Sequence, residues 1–182
     1  MSDSPLLTFY RGTGTDHAGR RLSDVLAWDD DALESVHDYI QWVFPGTEPS
    51  RANAQAPLLS SDDIGAFHED AALRATLRRA FDRFLDFYGF RLITTDGESR
   101  VEPGPNWTAR SQQWLQRNNH NHLRLTRIVR CLHALGLQPE AKALQRALLD
   151  VAERTHVGQV SRSTVRFWRA AIDGASDGGL VR

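Results

Sequence analysis

The stretch from Ala71 to Tyr88 restricts the fold more than any other. Leu73, Leu77, Ala80, Phe81, Phe84, Leu85 and Tyr88 recur at the three- and four-residue intervals of one helical face. Arg74, Arg78, Asp82 and Asp86 lie opposite. Gly89 follows where a left-handed cap would end the helix. An apolar face this broad needs partner helices. Asp31–Phe44 supplies one, with Leu33, Val36, Ile40, Val43 and Phe44 in helical register before Pro45 and Gly46 stop it. Asn121–Leu135 and Glu140–Thr155 supply two more. Shorter helices are expected near Leu22, after Ser60 or Ser61, from Thr108 and over Val160–Ile172. Leu6 to Tyr10 reads as a short extended arm. Phe90 to Ile93 is β-like but short, and TTDGESRVEPGPNW after it reads as a mobile loop. The expected fold class is all-α: a compact single-domain bundle of about six or seven helices with an extended N-terminal arm. Residues 1–182 form one helical domain in this reading, with 174–182 a frayed tail.

Composition narrows the function classes. Hydrophobic residues make up 41% and charged residues 25%, the balance of a globular chain and not of a disordered one. The formal net charge is −1, so no global field draws the chain to nucleic acid, and no nucleic-acid partner is expected. No run approaches the ~18 apolar residues of a membrane span, and MSDSPLLTFYRG lacks the form of a signal peptide. The lone Cys131, set among Ile128, Leu132 and Leu135, reads as a core thiol in a reducing compartment. The expected location is the cytoplasm.

Two segments carry the candidate chemistry. In HDYIQWVFP, Tyr39 and Trp42 lie three apart, off the main apolar face of the expected helix. They either pack in the core or offer an aromatic surface to a partner. In NNHNHLRLTRIVR, Asn118 to Asn121 can cap a helix that carries Arg124, Arg127 and Arg130. Those arginines are either a solvated face or an anion site near a helix start. His120 and His122 are two apart and diverge on a helix; no spaced Cys or carboxylate pair accompanies them, so no metal and no cofactor is expected. His17 and His37-Asp38 give only a weak hint of helical metal phosphohydrolases. No GxSxG, P-loop, HExxH or dinucleotide fingerprint is present.

Taken in order, Phe9-Tyr10-Arg11, Tyr39-Ile40-Gln41-Trp42 with Phe44-Pro45, Glu48-Pro49, Phe87-Tyr88-Gly89, Asn121 with Leu123 through Ile128, and Leu135-Gly136-Leu137 resemble the conserved domain of the opioid growth factor receptor family. The resemblance runs from about Phe9 to Phe167, with Val43 where the family usually has Leu. It implies a helical domain, binding of the opioid pentapeptide Met-enkephalin and a role in growth regulation; vertebrate members are associated with the nucleus and membranes. The function expected is therefore a peptide- or small-ligand-binding module. Tyr39, Trp42 and Tyr88 would give aromatic surface, and Asn119, Asn121, Arg124 and Arg127 would hold an anionic or carboxylate end. One alternative is an uncatalogued hydrolase using His37, Asp38, His120 or His122. Another is a protein-interaction domain without a small ligand.

Overall fold

The computed structural model describes residues 3–50 and 53–173. In chain order the elements are α1 (Pro5–Tyr10), α2 (Leu22–Leu26), α3 (Asp30–Ser35), α4 (Ile40–Val43), α5 (Ser61–Glu69), α6 (Ala71–Tyr88), β1 (Phe90–Thr95), β2 (Glu98–Pro103), α7 (Trp107–Trp114), α8 (Asn121–Ala134), α9 (Gln138–Asp150), a π-helical turn (Val151–Thr155) and α10 (Arg162–Ala170). The expected long helix is α6. The Asp70 side chain accepts from the N–H groups of Ala72 and Leu73 at its start. At its end Gly89 takes φ +86°, and a Cβ there would sit 2.9 Å from the Trp107 Cα. Gly89→Ala is therefore expected to cost about 2–3 kcal/mol, left-handed strain plus overlap, read as a lower urea midpoint. An unchanged midpoint would show that α7 yields freely.

The all-α expectation fails at residues 90–103. Strands β1 and β2 form an antiparallel hairpin, with Phe90 opposite Pro103, Leu92 opposite Val101 and Thr95 opposite Glu98. Asp96 and Gly97 both have positive φ, 52° and 80°. That is the turn chemistry that fits the right-handed twist of a two-residue hairpin. Phe90 and Val101 are buried, and the hairpin packs against α9 and the end of α6. The chain is thus helical with a small sheet, and the Gly- and charge-rich stretch expected to be a loop holds the end of the first strand, the turn and the second strand. The helices also outnumber the expected six or seven: the described residues hold ten.

Three helix boundaries differ as well. The N-terminal arm is helix α1, because Ser4 accepts from the Leu7 N–H and Pro5 sits at the first helical position. Leu6, Phe9 and Tyr10 then fall on one buried face. The helix expected over Asp31–Phe44 is broken: Val36 is extended (φ −88°, ψ 135°), separating α3 from α4. The last expected helix but one ends in the π-turn, where the His156 N–H reaches the Val151 carbonyl. The tail at 174–182 lies outside the described residues. No described helix is long and apolar enough to cross a membrane.

Candidate functional site

The break between α3 and α4 explains most of the residues singled out from sequence. It leaves carbonyls that would otherwise bond within a helix. The Arg124 guanidinium, on α8, donates to Leu33 O and Val36 O, both at 2.9 Å, and to His37 Nδ1 at 2.8 Å. The Tyr39 hydroxyl donates to Leu33 O at 2.7 Å. Asn121 sits at the centre: its Oδ1 accepts from Tyr88 Oη and Arg124, and its Nδ2 donates to the Glu34 carboxylate. Tyr39, Tyr88 and Asn121 are buried, and Arg124 is only 6% exposed. Burial pushes the Tyr39 and Tyr88 hydroxyls above their ordinary range. Trp42 packs edge-on against Phe9 and beneath the His17 ring. Arg127 donates to Phe44 O at 3.4 Å, and burial lowers its pKa. The structure therefore brings Tyr39, Tyr88, Asn121 and Arg124 together, as a buried hub joining α3, α6 and α8. Trp42 and Arg127 lie apart from that hub, on α4 and further along α8.

Asn119 leads elsewhere. Its Nδ2 donates to Gln113 O and its Oδ1 accepts from the Asn121 N–H. This closes the turn in which Asn118 adopts a positive φ of 62°. Arg117 and Asn118, ahead of it, line a groove of about 970 Å3. Ala152, Val157, Val160 and Val165 provide its apolar surface, and Arg117, Arg162, Arg166 and Arg169 its charge. The π-turn and α10 form its walls; such turns wind wider than the α-helix and recur at functional sites. Ser161 caps α10 by accepting from the Thr164 N–H. A smaller hollow of about 530 Å3, between α1, α2 and α6, has its Arg11 paired with Asp70 at 3.3 Å.

The sequence matches the model of the opioid growth factor receptor (OGFr) conserved region over residues 6–177. The chain belongs to the opioid growth factor receptor family. It is 34% identical to the human opioid growth factor receptor over 175 residues, which is 93% of this chain and 25% of that protein. It is 38% identical to the rat receptor over 158 residues, 85% of this chain and 27% of that protein. Against mouse opioid growth factor receptor-like protein 1 the identity is 34% over 124 residues, 68% of this chain and 26% of that protein. The chain thus spans about a quarter of the length of these curated relatives. No solved structure matches it. The family motifs fall on packing contacts: the Tyr10 hydroxyl donates to Val43 O, Gly89 admits Trp107, and the Tyr39–Trp42 string closes the α3–α4 break.

The groups proposed for an enzyme do not form one constellation in this family member. His37 and Asp38, adjacent in the segment between α3 and α4, point to different partners. His37 meets Arg124, whereas Asp38 binds Arg20 at 2.9 Å and His17 at 3.2 Å. The Arg20 guanidinium and His17 hold the Asp38 carboxyl below its usual range, against the opposing effect of burial. His120 pairs with Glu34 at 3.2 Å and stacks edge-on with His37. Burial lowers the His120 pKa, with Glu34 opposing. Among the described residues no three His, Cys, Asp or Glu side chains converge as a metal ion requires.

His122 bonds Trp114 O at 2.9 Å through Nε2, so the proton must sit on that nitrogen. The ring packs against Trp114 and Trp168, and burial lowers its pKa. In the unfolded chain the imidazole protonates first on acidification. Stability is then complete above about pH 6.5 and falls as the pH drops from there toward the lowered folded value. Urea midpoints at pH 7.5 and 5.5 should show that fall, and His122→Asn should reduce it. An equal fall in the variant would assign the effect to other groups. Cys131 is fully buried and burial pushes its thiol far up. It should resist aromatic disulfide reagents in the folded protein at pH 8 and react at once in urea well above the unfolding midpoint. Rapid native labelling would contradict the packing.

The arginines of the groove escaped the sequence reading, although their signal was there. Arg162, Arg166 and Arg169 stand at i, i+4 and i+7, one face of a helix. Nothing in the chain order joined them to Arg117.

Proposed function

We propose that this chain is a peptide-binding module that seats its ligand in the groove between the π-turn and α10. The observation that carries the reading is the groove's composition: an apolar surface of Val157, Val160 and Val165 edged by arginines. Ligand sites are generally concave, mostly apolar and furnished with a few placed polar groups. Family membership supports a receptor-like role, since the relatives are named for a growth-factor ligand. Tyr39, Tyr88, Asn121 and Arg124 serve this reading as a buried frame, and Trp42 and Arg127 as packing beside it. Asn119 positions the turn that carries Arg117 and Asn118 to the groove.

Titration calorimetry with Met-enkephalin tests the proposal. Binding is expected in the native protein and should weaken at least ~10-fold, ~1.4 kcal/mol, in Val157→Asp. Val157 is 71% exposed, so that change leaves the fold intact while placing a carboxylate on the groove's apolar surface. Saturable binding that Val157→Asp leaves untouched would move the ligand elsewhere. No binding of this or any other short peptide would end the reading.

A further inference from the structure

We propose that the groove's ligand is an acidic segment, an extended peptide in which carboxylates alternate with apolar side chains. The inference rests on the peptide-binding reading above and names the ligand class. Four arginines line the groove against one glutamate, Glu153, although the chain as a whole carries a net charge of −1. The excess is therefore local. Glu153 is already engaged by Arg169. Arg117 is held through its Nε by Gly158 O at 3.1 Å, which fixes the arginine while leaving its terminal nitrogens to donate. Arg162 and Arg166, both exposed, have no carboxylate partner among the described residues. Such an unpaired pair on one helix face repels itself and gains from an anion that bridges it.

Spacing then selects the form of the anion. Residues four apart on a helix rise by ~6 Å. Alternate side chains of an extended strand stand ~6.6 Å apart on one face. A peptide lying along α10 would place successive carboxylates on Arg162 and Arg166. Its intervening side chains, on the opposite face of the strand, would then be offered to Val157 and Val160, which precede α10 in the groove lining. A zwitterionic pentapeptide with one carboxylate uses only part of this array. Single-stranded nucleic acid is the other polyanion to consider, but the groove lining has no aromatic ring on which a base would stack.

The test compares two labelled octapeptides by fluorescence anisotropy, one alternating Glu with Val and one alternating Gln with Val. The acidic peptide is expected to bind at least ~10-fold more tightly, with an advantage that shrinks as salt rises from 50 to 300 mM, roughly as exposed charge pairs are screened. Arg162→Gln with Arg166→Gln should erase the difference. Arg146→Gln, exposed on α9 and outside the groove, should preserve it. If both peptides bind alike and Val157→Asp weakens both, peptide binding stands and the acidic preference is overturned. If neither peptide nor Met-enkephalin binds, the underlying reading fails with it. A single-stranded oligonucleotide that displaces the acidic peptide at lower concentration would overturn the choice of ligand in favour of nucleic acid.

Discussion

Phe84→Ala should lower the free energy of unfolding by about 3–5 kcal/mol. Phe84 is fully buried on α6. Its ring meets Phe44 at 5.1 Å, Tyr39 and Phe87 each at 6.1 Å and Tyr88 at 6.4 Å. It therefore joins the α3–α4 segment to the end of α6, two regions far apart in sequence. Truncation removes apolar contact on all these sides and leaves a cavity whose walls are themselves large aromatics. Rings held by their own hydrogen bonds, such as Tyr39 to Leu33 O and Tyr88 to Asn121, have little freedom to collapse into the space. Phe84→Leu should lose much less, since most of the volume is kept. Urea unfolding followed by far-UV circular dichroism gives the comparison. A loss below ~1 kcal/mol for the alanine variant would show that the aromatic cluster repacks.

Arg124→Met should cost about 2–5 kcal/mol, because it removes the charged hydrogen bonds to Leu33 O and Val36 O and leaves Val36 O without a side-chain donor. Methionine keeps the stem's apolar volume, so the loss reports the guanidinium's hydrogen bonds. Leu33 O would retain the Tyr39 hydroxyl, whereas Val36 O would lose its side-chain donor. Arg124→Lys should recover only part of the loss, because a single ammonium lacks the planar fork that spans Leu33 O, Val36 O and His37. Tyr39→Phe, which removes one of two donors to Leu33 O, should cost only ~1 kcal/mol. If Arg124→Met were near-neutral while peptide affinity fell sharply, the arginine would be a ligand contact and the hub reading of it would be wrong.

Much of the helical layout was legible in the chain. The α6 boundaries follow from an unbroken apolar stripe between a capping Asp70 and Gly89. The start of α8 and the family resemblance follow from the same local strings. The hairpin was legible too in its Asp96-Gly97 turn, but the polar residues around it read as a loop because only Phe90, Leu92 and Val101 mark its inner face. Helix α1 is too short for its period to declare itself, and its Thr-Phe-Tyr end has the composition of a strand.

Local pattern determined which segments bury a face, because that depends on the spacing of side chains along one element. It did not determine whether Asp31–Phe44 stays whole. The apolar spacing there suits a continuous helix. The break is instead held by Arg124 and Asn121, which reach Leu33 O and the Glu34 carboxylate from distant positions, with the nearby Tyr39 hydroxyl as a second donor to Leu33 O; together they make an interrupted backbone affordable. The same holds for the proposed binding groove. Arginines 162, 166 and 169 acquire a groove only when α10 folds beside the π-turn and Asn119 turns Arg117 toward it. Hydrogen bonds and concave surfaces between residues far apart in sequence are properties of the assembled chain, and they decided which polar residues became frame and which were left facing solvent.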